Sequence, residues 1–506
     1  MPENRAAPTL TMLRSRIFRF PQPRIRHRCL ARRLALASSC LLGGVSGCQS
    51  PTVQSVLDNV RNGNEPPATA PAPIAALTPP ADSTIAVKPF QPSPIRVNIA
   101  NLPTPNPAES RSKPPQVLPI PAAPQLNAPP GFAINVFAEG LDAPRWLALS
   151  PAGEVLVTET KQNRIRILAD QDQNGVADFN QAFANADNGL NMPFGMAFSG
   201  GYFFLGNSAE VRRYSFSTNQ QKLEGTGEKI TDLPGGGYNQ HWTRNLLTDR
   251  NGEKLFISIG SASNVDAEPS PRASIQVMNL DGSDRQTFAS GLRNPVGLAL
   301  HPETGDLYTT VNERDGLGDD LVPDYFTRVQ KDEFFGWPFA YLTPDRLDPR
   351  QVDRQGRSRN PELAAQTKTP DVLFQSHSAP LGMQFYDQNR FPEKYRNGAF
   401  VAFRGSWNRN QGTGYKIVFV PFAAGDKLKP EEKRPLGYYE DFVTGFLTDP
   451  TGPNTWGRPV GLLVLPDGSL LFTEEANGRI YRVSYQAPPK PSPSAKPKDA
   501  PPVKLN

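Results

Sequence analysis

Short apolar runs with turn residues between them dominate the middle of this 506-residue chain, and they recur. Each repeat opens with a proline or polar turn, runs into a small apolar strand, breaks at a Gly/Asp/Asn turn, and returns as a second apolar strand that ends in polar residues. The copies are APRWLALSPAGEVLVTET from Ala143, MPFGMAFSGGYFFLGN from Met192, HWTRNLLTDRNGEKLFISIG from His241 and RNPVGLALHPETGDLYTTVNE from Arg293. Two more are APLGMQFYDQNRFPEKYRNGAFVAFRG from Ala379 and RPVGLLVLPDGSLLFTEE from Arg458. Further strand-like pieces with alternating or β-branched character lie between them, among them NRIRIL, VRRYSF, ASIQVMNL, YKIVFV and GRIYRV. Helical periodicity is almost absent. Six such units predict an all-β fold, a six-bladed β-propeller, over residues 129–485. In that architecture the residues that open each repeat converge at one mouth of the central channel, which draws together His241, Arg293 with Asn294, His377 with Ser378, and Arg458.

Composition divides the rest of the chain. The 54 prolines crowd into residues 49–130 and the last twenty or so, and such stretches favour polyproline II and bury too little apolar surface to offset chain entropy. Residues 48–128 are therefore expected to form a disordered Pro-rich linker and 486–506 a disordered Pro/Lys-rich tail. Cys29, Cys40 and Cys48 are the only cysteines, so the body holds no disulfide framework, thiolate zinc site or CxxCH haem attachment. Before Cys48 lie a basic stretch, RIRHRCLARR, and a brief apolar run, LALASSCLLGGVSG, too short to span a bilayer. This order marks residues 1–47 as a secretory signal. Val45-Ser46-Gly47-Cys48 resembles a bacterial lipobox, which implies lipidation of Cys48 and anchoring on the periplasmic side of the cell envelope; the alternative is an ordinary signal with a chance cysteine. Residues 1–47 hold nine Arg and one acid, so removing their +8 turns the formal +5 into −3. A negative mature chain offers no electrostatic footprint for nucleic acid.

Several stretches carry candidate chemistry. GGGYNQHWTRNL, residues 235–246, brings one of only four histidines behind three glycines. His241 there could accept a proton from a substrate hydroxyl or cap a strand by hydrogen bonding, and both readings stand. His301, in LALHPETG, is expected to be a solvated loop residue. The Arg293 guanidinium could grip an anionic ligand or form a structural ion pair between blades. NERDGLGDD supplies Glu313, Asp315, Asp319 and Asp320 with glycines between, which suits calcium or a solvated turn. Asp170, Asp172, Asn174, Val176 and Asp178 occupy the ligand positions of a D-x-D-x-N-G-x-x-D calcium loop, although Gln181 stands where a bidentate acid would complete it.

Over residues 129–485 the chain resembles the glucose/sorbosone dehydrogenase family, its sorbosone-dehydrogenase-like branch in particular. The stretches that carry the likeness include PPGFAINVFAEGLDAPRWLAL, SIGSASN, MNLDGSDRQTFASGLRNPVGLAL, NERDGLGDDLVPDYFTRV, FFGWPFAY, HSAPLGMQFY, FRGSWNR and GRPVGLLVLPDGSLLFTEE. The resemblance implies pyrroloquinoline quinone (PQQ) and Ca2+ as cofactors and a sugar or related aldehyde as substrate, with electrons passed to an external acceptor. It implies His241 as general base with Asp320 orienting it, and Arg293, Asn294, Arg458 and Arg404 as cofactor contacts. It also implies that the backbone at Asp315 and Gly316 holds the quinone-bound calcium. The chain departs from the family at Gln240 and Trp242 beside the base, at Arg314 in place of a neutral amide, and at Glu474 in place of an Asp. A non-catalytic cell-envelope propeller that binds a carbohydrate or protein partner is the alternative function; a calcium-dependent hydrolase or lactonase would need carboxylates from several blades.

Overall fold

The computed structural model describes residues 83–235, 241–425 and 427–486. The signal, Cys48, the first part of the expected linker, Gln240 with most of the glycine run before it, and nearly all of the expected tail lie outside the described residues.

Among the described residues, six larger sheets, each built on an antiparallel set of four strands, follow one another along the chain. The first takes Leu147–Leu149, Val155–Glu159, Arg164–Ala169 and Phe179–Ala184; the second takes Met196–Ser199, Tyr202–Gly206, Glu210–Ser215 and Glu228–Asp232. Leu246–Thr248, Lys254–Ile259, Ser274–Asn279 and Gln286–Ser290 make the third, and Pro295–Leu300, Leu307–Val311, Tyr325–Val329 and Val372–Leu373 the fourth. Pro380–Phe385, Ala399–Phe403, Lys416–Val420 and Glu440–Val443 form the fifth. The sixth joins Pro459–Val464, Leu470–Glu474 and Arg479–Tyr485 to Phe132–Ala138 from the start of the body, so the two ends of the body share one sheet. Every predicted repeat opens just ahead of the first strand of one sheet.

Those first strands lie side by side in a closed ring, the sixth against the first. A glycine in the repeat makes the approach possible. At Gly297, Gly382 and Gly461 a Cβ would collide with the carbonyl of Leu381, Val460 and Arg145 respectively, each on or beside the next first strand. In two of these places a threonine completes the joint. The Thr310 hydroxyl accepts from Gly297 N–H at 2.9 Å and donates to Leu381 O at 2.7 Å, and Thr473 does the same between Gly461 N–H (2.8 Å) and Arg145 O (2.7 Å). The P-x-G pattern is thus a close-packing signature, since no larger side chain fits between neighbouring backbones. Apolar faces fill the spaces between sheets, as where Phe385, Phe403 and Phe422 meet Tyr308 and Phe326.

Two expectations fail here. Residues 83–128 belong to the packed structure. Thr84–Pro89 pairs with Gln125–Ala128 and Phe132–Ala138, extending the sixth sheet, and Ile95 bridges Tyr439 of the fifth. From there the segment crosses the loops that follow the strands. Asn106 N–H donates to Leu317 O (2.8 Å), Ser110 Oγ accepts from Gly318 N–H (3.0 Å), Lys113 N–H donates to Trp407 O (2.7 Å), and Gln116–Val117 pairs with Asn454–Thr455. Proline removes donors from the strap itself, but the remaining N–H groups find carbonyls on those loops, and Val97, Ile99 and Leu102 drop into the core between prolines. His301 is buried rather than solvated: its ring stacks on Phe422 at 5.0 Å and meets Phe385 edge-on at 5.1 Å.

Candidate active site

Residues just ahead of the first strands, together with the loops that face them, line a cavity of about 330 Å³, within the range of small-molecule sites. His241, Arg293, Asn294 and His377 reach it, as the repeat argument expects, and so do Arg404, which the resemblance implied, and Arg145.

The His241 ring is fixed by Ser261. Its Nδ1 lies 2.8 Å from the Ser261 carbonyl and 3.0 Å from the Ser261 hydroxyl, whose own proton goes to Ser263 O at 2.6 Å. Only acceptors face Nδ1, so that nitrogen carries the hydrogen and Nε2 keeps its lone pair. Burial, with Arg293 adding to it, holds the imidazole well below its ordinary 6.5, so the ring is a neutral base at pH 7. Gly260 lets this happen: a Cβ there would collide with His241 and with the Asn294 amide oxygen. Trp242 lies under Arg145, 5.1 Å from guanidinium to ring centre.

Asp315 is the hub of the same wall. Its carboxylate accepts from Arg293 Nη2 at 2.9 Å and Asn408 Nδ2 at 2.6 Å, and lies 3.6 Å from His377 Nδ1. Burial opposes ionisation, but Arg293 and His377 outweigh it and hold this acid well below the usual carboxylate range, while Asp315 in turn raises His377 against its own burial. Nearby, burial pushes Glu313 up to about 7 and Asp324 up to about 6. Two acids two residues apart are thus driven in opposite directions, an arrangement typical of functional sites.

Another part of the lining is cationic. Arg145, Arg404 and Arg458 converge on one carboxylate, Glu475, which Arg145 and Arg404 contact directly and Arg458 approaches to 4.0 Å. Burial would raise Glu475, yet the three guanidiniums hold it at about 2. Three cations against one anion leave a net positive surface, and the buried Arg145 Nε and Asn294 Oδ1 have no hydrogen-bond partner.

Some expected roles are corrected by this geometry. The Asp320 carboxylate is exposed and bonded to Arg409 Nη2 at 2.7 Å; Ser261, not Asp320, positions His241. Arg458 stands one layer behind the cavity, donating to the Arg404 and Gly405 carbonyls. Arg293 lines the cavity, but all five of its N–H groups are committed to Asn264, Asn312, Glu313 and Asp315, so it organises the loop more than it offers donors. The Asp315 carbonyl does not suit calcium, because it already accepts from Asn264 Nδ2 (2.9 Å) and Arg314 Nη1 (2.7 Å). The loop from Asp170 to Asp178 connects two strands of the first sheet, with Asp170, Asp172 and Asp178 accepting backbone N–H groups. Among the described residues no three His, Cys, Asp or Glu side chains gather in a metal-holding group. Sequence reasoning missed Arg145, Asn264, Ser261, Asn408 and Glu475. Only Arg145 carried a signal, since it precedes a first strand as Arg458 does.

The TrAA12-like family matches residues 126–332 and 348–486. The chain belongs to this family. An uncharacterised protein of Borreliella burgdorferi is 34% identical over 257 residues, 50% of this chain and 63% of the relative. The pyrroloquinoline quinone-dependent pyranose dehydrogenase of Coprinopsis cinerea is 25% identical over 418 residues, 72% of this chain and 55% of the relative. The chain therefore spans less than two thirds of the length of these curated relatives. Among solved structures, the holo pyranose dehydrogenase PQQ domain from Coprinopsis cinerea superposes with a TM-score of 0.59 at 20% identity, covering 71% of this chain and 97% of that one. The calcium structure of a Trichoderma reesei family AA12 enzyme gives 0.60 at 21% identity, over 73% and 98%. Both share the fold, and the likeness to sugar dehydrogenases drawn from the sequence holds within the family. The strap before residue 126 lies outside the matched range.

A PQQ-sized anionic ligand suits the donor set of this family member. The cationic wall complements its carboxylates, and the orphaned Arg145 Nε and Asn294 Oδ1 are a donor and an acceptor for it.

Proposed function

We propose that this chain is a PQQ-dependent oxidoreductase that oxidises a sugar or related hemiacetal or aldehyde, with His241 as general base. The observation that carries the proposal is a neutral imidazole whose tautomer Ser261 fixes, set in a cavity that the Arg145 and Arg404 guanidiniums also line. The pyranose dehydrogenase relative supports the substrate class. Arg145, Arg404 and Asn294 would hold the cofactor, with Arg293 and Asp315 fixing the loop beside it. When bound, PQQ supplies the two-electron acceptor for the hydride leaving the substrate carbon. His241 Nε2 takes the hydroxyl proton as that hydride departs, and Nδ1–H keeps its bond to Ser261 as the ring becomes charged. The developing imidazolium is met by Asp315, whose charge is coupled to this ring. An external acceptor would take up the electrons. The six sheets are read as the six blades of a propeller whose mouth is this cavity. The sequence expectations of a lipid anchor at Cys48, export to the periplasmic side of the envelope, and calcium in the 170–178 loop belong to the same proposal.

The test is reconstitution of the full chain with PQQ, followed by dye reduction with a panel of aldoses, sorbosone and simple aldehydes. Quinone binding with sugar-dependent reduction supports the proposal, and binding of neither quinone nor sugar sinks it. Because the His241 pKa is lowered, the acid limb of kcat/KM is expected below pH 6.5; a limb above 6.5 would assign the base elsewhere.

A further inference from the structure

Arg314 is a buried guanidinium held in one place. Its Nε and Nη2 bond the two oxygens of Asp348 at 2.6 and 3.0 Å, and both side chains are almost wholly buried. Asp348 is itself fixed, its N–H donating to Phe339 O at 3.0 Å and its carboxylate accepting from Arg350 N–H at 2.9 Å. The remaining nitrogen, Nη1, donates to the Asp315 carbonyl at 2.7 Å. That oxygen has two lone pairs, and Asn264 Nδ2 takes the other at 2.9 Å. Both Asp315 carboxylate oxygens are likewise bonded, to Arg293 and Asn408. A divalent cation needs several oxygens with free lone pairs within about 2.3–2.6 Å. Here the central oxygen is already shared with a positive charge, which would repel a metal across a desolvated gap.

We infer that the turn 313–316 carries its own cation: Arg314 stands where the family resemblance would put calcium, and the anionic ligand of the adjacent cavity binds without that metal. The inference rests on the reading of the cavity as a quinone site, but the occupancy of the turn can be tested independently of it. Trp242 and Trp407 line the cavity, so their fluorescence reports PQQ binding directly. The full chain, stripped with EGTA, is titrated with PQQ in EGTA and again in excess calcium chloride. Affinities within about twofold of each other support the inference, whereas tightening of tenfold or more by calcium overturns it and leaves the quinone reading intact.

Should PQQ fail to bind in either buffer, the quinone reading falls and a calcium count decides the turn. Radioactive calcium is measured on the D170A/D172A protein, which lacks the other acidic loop: none retained supports the inference, and one ion per chain overturns it. A charge-neutral pair replacement, Arg314→Gln with Asp348→Asn, avoids leaving a lone buried charge. It is expected to weaken PQQ in EGTA by tenfold or more and to make binding calcium-responsive; unchanged affinity that still ignores calcium would overturn the role of Arg314.

Discussion

Two acidic loops with glycines, 170–178 and 312–320, look alike in sequence and differ in what surrounds them. In the first, the acids accept backbone N–H groups of their own turn, and Asp172 is left with no guanidinium on it. In the second, two arginines from elsewhere reach in, Arg293 onto Asp315 and Arg409 onto Asp320, and Arg314 of the loop itself bonds the Asp315 carbonyl. The acids of the first loop bond chiefly to their own turn, with the Arg482 guanidinium beside Asp170, while Asp315 and Asp320 of the second each carry a guanidinium. Loop composition alone therefore does not identify a metal site; the cations that surrounding segments bring to it decide it.

The largest test of this contrast is to remove the hub. Asp315→Ala leaves Arg293 and His377 buried without their counter-ion, and a loss of about 3–5 kcal/mol is expected by chemical denaturation. Asp320→Asn, at an exposed pair, should cost less than about 1 kcal/mol. Equal effects would erase the distinction between the inward and outward acids of one loop.

Glu313 sharpens the same point through pH. Its folded pKa is raised by burial from 4.5 to about 7, so its contribution to stability is fully present below 4.5 and is lost as pH rises through 7. Glu313→Gln should therefore become more stable relative to wild type between pH 4.5 and 7, by roughly 3 kcal/mol at the top of that window. A difference independent of pH would mean that Glu313 is not desolvated.

The smallest effect belongs to the first loop. Calcium at about 100 times its dissociation constant should stabilise the protein by about 2.7 kcal/mol, measured as a rise in Tm. Asp170→Ala should remove that rise, and Asp320→Asn should not. A rise that survives Asp170→Ala would move the calcium elsewhere.

The sheets were legible because the repeat carries its own packing rule. The glycine in PVGLAL, PLGMQF and PVGLLV marks where the next strand crosses, and the prolines before it mark the strand start. The mouth followed from repeat position, which placed His241, Arg293, Asn294 and His377 at the cavity and would have placed Arg145, while Arg458 falls behind it and Arg404 came from the family resemblance. Partners were not legible. Asp315 and Asp320 sit five residues apart in one loop, and which of them turns inward depends on Arg293, ahead of the first strand of the same sheet, and Arg409, from a loop of the fifth. The strap escaped notice for a similar reason: residues 83–128 have no core of their own and are ordered by hydrogen bonds to loops more than 200 residues away in sequence. His301 was misread because the rings that bury it, Phe385 and Phe422, come from the neighbouring sheet.

The central claim is that His241 moves the proton and does not hold the cofactor. Its most direct test is PQQ titration and dye reduction on His241→Ala in the same preparation. Quinone affinity within a few-fold of wild type, with turnover reduced by about 10²–10⁴, is the expected result. Loss of quinone binding, or turnover that persists, would contradict it.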